Sequence, residues 1–420
     1  MGAELEFLAA VAADRAEGVL RGLPRSAGHG DSLTRAIRVT AEQLKSRAST
    51  IVTGGPYLPA LERVHARDLQ RLASEANVLH QLLSAYAGDV GRTDVPVGLL
   101  YLIDELIRDL LPSGADPILH LDSSNMYSTF PVFERAPHIL NPAAHPEPHP
   151  VVFNVPGLEP ANALLSPILA HEVGHTCWRR TVGRDLRARL DLVAIQAALQ
   201  IGVSAGANPK ELGTLFDSWL VELMCDGLAA TLTGPAFLFA STVFLPAAGE
   251  AGIGSHPYPL DRLAFTLQIL DRYGWTSVLG GLVPTTFDWC VQSAANPHLA
   301  GDPRETALRA AMAIAQPAMI ELAEEIAVNR LRAEDFERHK NDLFSYLDLG
   351  IPPSAPSGDD FTAWLLVASS WLHEIRIRGD GGPANLPAIA SDPTLNRFLL
   401  KSVELSGIAR LWRTHGTSAP

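Results

Sequence analysis

With 420 residues and a formal net charge of −13, the chain lacks the Lys/Arg surplus that binding a phosphate backbone needs, and an anionic membrane surface repels it. Hydrophobic residues make up 47% and charged residues 19%, a balance that excludes disorder and suits several domains around a large buried core. Three scattered cysteines, Cys177, Cys225 and Cys290, are too few for a disulfide framework and point to a reducing compartment, the cytoplasm.

The N-terminal region, residues 1–112, reads as helical. It opens "MGAELEF", with acids early and no basic stretch, so no secretory peptide is expected. Leu5, Leu8, Ala12, Ala16 and Val19 keep a three-to-four spacing, and so do Leu61, Val64, Leu69, Leu72, Ala76, Leu79 and Leu83. A third helix runs from Val97 to Leu111 and stops at Pro112.

Between Ser113 and Pro160 the chain turns rich in Pro, His, Asn and Ser. Short apolar runs, "PILHLD" and "HPVVFNVPG", suggest the strands of a small sheet. "HPEPHP", His145 to Pro150, reads as an extended linker.

Helices resume near Asn162. One is expected over 166–180, with Ser166 as cap and Pro167 in its first turn. A second is expected in "RDLRARLDLVAIQAALQIGV" and a third over 210–234. The uncharged stretch from Gly227 to Gly249 is broken by Gly234-Pro235 and ended by Pro246. The apolar helix left between is roughly 16 Å long against a hydrocarbon core of about 30 Å, so no membrane span is expected. Asp302-Pro303-Arg304-Glu305 is a helix start, and Pro317 should kink that helix. The expected layout is therefore a helical region over 1–112, a core over 113–265, a helical region over 266–349, a linker over 350–360 and a helical segment over 361–420 that includes "FTAWLLVASSWLHEIRI".

"HEVGH" is the chemistry-bearing motif. His171 and His175, four apart on a helix, project from one face and can reach a single Zn²⁺ at about 2.0–2.1 Å. Glu172, rotated by roughly 100°, sits beside the open coordination position, where it can take a proton from water. Forty-seven residues on, the helix over 210–234 carries Glu222 and Asp226 four apart. Glu222 can complete a His₂Glu set with water fourth, and Asp226 can accept the free N–H of a ligating imidazole. The bland alternative is a solvated acidic stripe of Asp217, Glu222 and Asp226. Cys177 and Cys225 read as small core residues off the face of the site. His80, His339 and His373 read as ordinary surface or half-buried histidines.

HEVGH with Glu-x-x-x-Asp downstream resembles the gluzincin group of zinc metallopeptidases, and "SHPYPLDR", Ser255 to Arg262, is similar to an element found in the CAAX prenyl protease family and its soluble relatives. The resemblance implies a mainly α fold: a zincin-like metallopeptidase core with a small β-sheet, flanked by N- and C-terminal helical regions. It also implies an edge strand before the HExxH helix that binds substrate backbone. "VVFNVPG" occupies that place and makes Asn154 a candidate substrate-binding residue, beside the alternative of a strand-ending turn. It implies an oxyanion donor in His256 or Tyr258, and a carboxylate- or substrate-binding role for Arg262; a structural His-Pro turn and a surface ion pair are the alternatives.

The function expected is a zinc metallopeptidase, hydrolysing peptide bonds of a peptide or protein substrate with a zinc-bound water activated by Glu172. The alternative is a catalytically silent zincin-like scaffold or regulatory protein with a structural metal, its helical regions meeting a protein partner.

Overall fold

The computed structural model describes residues 2–22, 31–54, 60–71, 96–111, 115–122, 127–131, 150–156, 161–247, 254–295, 302–352, 361–379 and 382–416. The protein is mainly helical with one three-stranded sheet. The expected stripe from Leu72 to Leu83, His80, the "HPEPHP" run before Pro150 and the linker from Pro353 to Asp360 lie outside the described residues. The chain divides into two compact units: Met1–Asp94 with Ser113–Leu158, and Val95–Pro112 with Glu159–Pro420. Residues 1–112, expected to form one region, are thus shared between them.

In the first unit α1 (Gly2–Gly22) packs along α2 (Asp31–Gly54). Leu5, Ala9, Ala12 and Ala16 meet Ala41, Leu44, Ala48 and Ile51, with Leu69 of α3 (60–71) closing the cluster. Alanines at three-to-four spacing let the two backbones approach closely. Of the stripe expected on α3, Leu69 is buried as read, but Leu61 and Val64 are 47% and 57% exposed and Ala66 packs inward beside Leu69.

The sheet comprises β1 (Asp116–Asp122), β2 (Ser128–Pro131) and β3 (Pro150–Pro156) in the order β1-β3-β2. β3 pairs parallel with β1 and antiparallel with β2, so it is the central strand and is buried from Val151 to Pro156. A strand whose side chains are buried on both faces reads as a near-continuous apolar run, as "VVFNV" does.

The second unit begins with α4 (Val97–Leu110), then α5 (Pro167–Cys177), a π turn (Trp178–Val182), α6 (Gly183–Arg187), α7 (Leu192–Ser204) and α8 (Pro209–Thr233). It continues through α9 (Pro235–Ala247), α10 (Pro259–Arg272), α11 (Trp275–Leu282), α12 (Pro284–Ala295), α13 (Pro303–Ile326), α14 (Ala333–Asp348) and α15 (Ala363–Ile377). A 3₁₀ turn (Gly382–Asn385), α16 (Leu386–Ala390) and α17 (Pro393–Gly416) complete it. The single helix expected between α5 and α8 is two, because Asp191 breaks it and caps α7 by accepting the Ala194 N–H at 3.0 Å. Asp302 caps α13 as expected, accepting the Arg304 N–H at 2.8 Å, and that helix runs on through Pro317. α9 does not stop at Pro246 but includes it. No helix among the described residues is long and apolar enough to cross a membrane.

α8 is the axis of this unit. From Glu222 to Thr233 every residue is buried, and the helix packs against α5, α7, α9, α10, α13 and α15. His373, expected at or near the surface, is 2% exposed on α15, where its Nε2 lies 2.8 Å from Asp348.

Candidate metal centre

α5 begins differently from the expectation. Ser166 is already helical, at φ −57° and ψ −24°, and its Oγ donates to the Ala163 carbonyl at 2.5 Å. Asn162 instead holds the turn that precedes the helix, its Oδ1 accepting the Leu165 N–H at 3.1 Å. Leu164, Leu169, Ala170 and Val173 anchor the helix in the core at 0% exposure, which fixes where the histidines point.

α5 meets α8 through glycine. A Cβ on Gly174 would lie 3.0 Å from the Cα, Cβ and Sγ of Cys225, tighter than ordinary contact. The expectation that Cys225 lies off this face is corrected: three residues past Glu222 is a rotation of about 300°, only 60° short of a full turn. Cys225 and Cys177 are nonetheless buried free thiols, and burial pushes the Cys177 thiol up to about 12. The Cys177 Sγ donates to the Leu110 carbonyl at 3.2 Å.

The close approach brings the acids of α8 to the imidazoles. Glu222 Oε2 is 3.4 Å from His171 Nε2, and Glu222 Oε1 is 3.5 Å from His175 Nε2. These separations exceed the usual 2.7–3.2 Å of an N–H···O bond. Two ligands about 2.0–2.1 Å from one tetrahedral Zn²⁺ stand about 3.3 Å apart. One nitrogen or oxygen from each of His171, Glu172 and His175 also falls within 4.8 Å of the others. The two imidazoles sit edge to face at 4.9 Å, and the ring of Phe237 on α9 stacks beside His171 at 6.3 Å. Two nitrogens and a carboxylate, with a second carboxylate alongside, form a donor set suited to zinc.

Behind His171 the polar groups are fully engaged. Its Nδ1–H donates to Asp226 Oδ1 at 2.8 Å, which turns Nε2 toward Glu222. Arg262 donates to both oxygens of Asp226, from Nε to Oδ2 and from Nη2 to Oδ1, each at 2.8 Å, and lies 3.8 Å from Glu222. Asp226 and Arg262 are 1% and 8% exposed, so neither a solvated stripe nor a surface ion pair describes them. Asp217 alone behaves as the solvated reading requires, exposed and 3.3 Å from Arg187.

These contacts split the titrations. Burial alone would lower His171, but the Asp226 hydrogen bond and charge, helped by Glu222, raise it to about 9. Burial and the neighbouring His171 push His175 down to about 4. Glu222 would rise on burial, yet the bond and charge of His171, with Arg262, hold it at about 2. Asp226 would also rise on burial, but the charge and hydrogen bonds of Arg262 keep it below the ordinary carboxylate value. Both acids are therefore anionic at neutral pH, as metal ligation and its support demand, while His171 is protonated and must release its Nε2 proton to ligate.

The remaining candidates separate. His256 belongs to the site: its Nε2 is 3.4 Å from Glu222 Oε1, and Ser255 Oγ stands 3.1 Å from its Nδ1. Tyr258 is turned elsewhere, with its hydroxyl donating to Glu305 and Arg309 over its ring at 5.9 Å. Arg262 directs its Nε and Nη2 at Asp226, the carboxylate-orienting role of the two expected for it. Asn154 belongs to the other unit, where its Nδ2 donates to Ser128 Oγ at 2.6 Å. β3 is paired on both sides from Val151 to Asn154, so over that stretch it has no free edge for a substrate backbone. The role of Arg262 in holding Asp226 was only half visible in the sequence. Its signal was the three-to-four spacing of Arg262 from Phe265, Thr266 and Ile269, which puts it on the buried face of α10.

Comparison with protein-family models, with curated proteins and with solved structures returns no match.

Proposed function

We propose that the protein is a zinc-dependent metallopeptidase with a zincin-like core, hydrolysing peptide bonds at the crossing of α5 and α8. The observation that carries the reading is the 3.4 and 3.5 Å spacing of Glu222 from two imidazole nitrogens that lie on a different helix, with Glu172 beside them. Zinc bound there would polarise a carbonyl and acidify the attacking water. His171, His175 and Glu222 would hold the ion, and Asp226, clamped by Arg262, keeps His171 in the ligating tautomer. Glu172, half-buried and outside that set, accepts the proton of the attacking water and delivers it to the leaving amine. His256 reaches toward the same space and donates to the oxyanion formed by attack. The substrate is a peptide or protein.

One observation favours a second reading, a structural metal. His256 Nε2 stands at the same 3.4 Å from Glu222 that marks the ligand pairs, so it can close the coordination shell as a fourth donor. The two readings part on paired variants assayed for zinc content and for digestion of a peptide library. As a peptidase, Glu172→Gln keeps zinc and loses turnover by about 10²–10⁴-fold, and His256→Ala keeps zinc with reduced turnover. As a closed site, His256→Ala loses zinc and no peptide is cut. Full turnover in Glu172→Gln would reject the peptidase.

A further inference from the structure

A polar cavity of about 840 Å³ lies in the same unit among α4, α14, α15 and α17. Its size is that of a small-molecule pocket, about 300–1,000 Å³. One wall is a stripe of α4, Tyr101, Glu105, Arg108 and Asp109, and another is a stripe of α17 that includes Ser406 and Arg410. Each has the three-to-four spacing of one helix face. The start of α15 contributes Trp364, the segment entering α14 contributes Arg330 and Arg332, and α14 itself contributes Arg338.

Five arginines and three carboxylates line this space in a chain whose net charge is −13. The acids do not absorb the arginines. Glu105 is taken by Arg410 at 2.7 Å and by the Ala363 N–H at 3.0 Å. Asp109 accepts from Asn329 at 2.7 Å. Arg108 stands 3.6 and 3.8 Å from Glu105 and Asp109, and Arg338 stands 3.7 Å from Asp335, all beyond good hydrogen-bond length. Arg330 donates to the carbonyl of Ala327 and pairs with no carboxylate among the described residues, and Arg332 Nη1 reaches only the exposed Glu334, at 3.4 Å.

The backbone fixes two of these cations. Leu331 donates to the Thr231 carbonyl at 3.0 Å and accepts from Trp275 Nε1 at 3.0 Å, with its side chain buried. Arg330 and Arg332, on either side of this buried residue, both line the cavity. Deeper in, Trp364 Nε1 and Ser406 Oγ are buried donors without a protein partner among the described residues, on side chains 2% and 8% exposed. Buried donors are almost always satisfied. The cavity thus offers weakly engaged guanidinium groups at the rim and unspent donors within. That donor-rich lining matches an anion with further acceptor oxygens.

We infer that this cavity binds a small organic anion, a phosphate- or carboxylate-bearing molecule whose acidic group meets Arg330 and Arg332 and whose acceptor oxygens reach Trp364 and Ser406. The site is separate from the α5–α8 crossing, so Glu172→Gln binds the anion as the parent does.

Calorimetric titration of the full chain with pyrophosphate and with citrate tests it and tells the two acid chemistries apart. Binding of either at one per chain, weakened about ten- to hundredfold in Arg330→Gln/Arg332→Gln, is the expected result. Arg184→Gln/Arg189→Gln, which removes the same charge from exposed positions, leaves the affinity unchanged. Should the first pair fail to fold by circular dichroism, Trp364→Phe keeps the ring, deletes the donor and is expected to weaken binding several-fold. No binding tighter than about 1 mM by either probe overturns the inference. So does equal weakening in both arginine pairs, or, where Trp364→Phe carries the test, an affinity that this variant leaves unchanged.

Discussion

Replacing Asp226 by alanine tests the support of the candidate centre without needing a metal. In the folded chain Asp226 is 1% exposed and receives three hydrogen bonds of 2.8 Å, one from His171 and two from Arg262. Its removal leaves Arg262, 8% exposed, with Glu222 at 3.8 Å as its nearest remaining acid. Breaking one side of a buried pair costs about 3–5 kcal/mol, a large share of the roughly 5–15 kcal/mol that holds a domain folded. Urea denaturation of metal-free protein should show a loss of that size. The double change Asp226→Leu with Arg262→Met removes both charges and should recover most of it, because apolar replacements of a buried pair are near neutral. Zinc affinity would stay about 10–100-fold low in both variants, since His171 has lost the acceptor that orients it. A loss below about 1 kcal/mol in Asp226→Ala, the level of an exposed pair, would refute the claim that this pair is desolvated.

Two further predictions concern the helices that build the site. Gly174→Ala gains about 1 kcal/mol of helix propensity but must push against Cys225 at 3.0 Å, so it should be net destabilising by up to about 2 kcal/mol and weaken zinc about tenfold or more. Zinc affinity equal to the parent's would mean that the α5–α8 distance does not set the ligand geometry. The α13 cap gives a pH signature: the Arg304 side chain and N–H hold Asp302 below its ordinary 3.8. Its folded-state value being the lower one, its contribution is complete above pH 3.8 and fades as acid titrates it below. Asp302→Ala should therefore be less stable than the parent at neutral pH, with the gap closing in acid. A gap that widens in acid would contradict this.

How much of the molecule was legible in the sequence depends on how local each signal is. The α5 and α8 helices were legible because their charged and imidazole groups stand out against apolar surroundings, and Pro167, Pro209 and Gly234 mark their ends. α2 was missed although Ile37, Ala41, Leu44, Ala48 and Ile51 keep helical spacing, because Thr and Ser between them blur the stripe. The stripe on α3 was partly misplaced, since an alanine facing a neighbour carries less hydrophobic signal than an exposed leucine. Strand order is a long-range property. "VVFNV" announced a buried strand, yet nothing local says that β1 and β2 flank it and leave it no edge. The burial of Arg262 and His373 is similarly hidden, because each is compensated by an acid distant in sequence: Asp226 at 2.8 Å and Asp348 at 2.8 Å.

Anomalous diffraction at the zinc edge, from crystals grown with the metal, tests the central claim most directly. The account predicts one peak about 2.0–2.2 Å from His171 Nε2, His175 Nε2 and an oxygen of Glu222. A peak bound elsewhere, or one that holds the two imidazoles while Glu222 stays out of bonding distance, would contradict it.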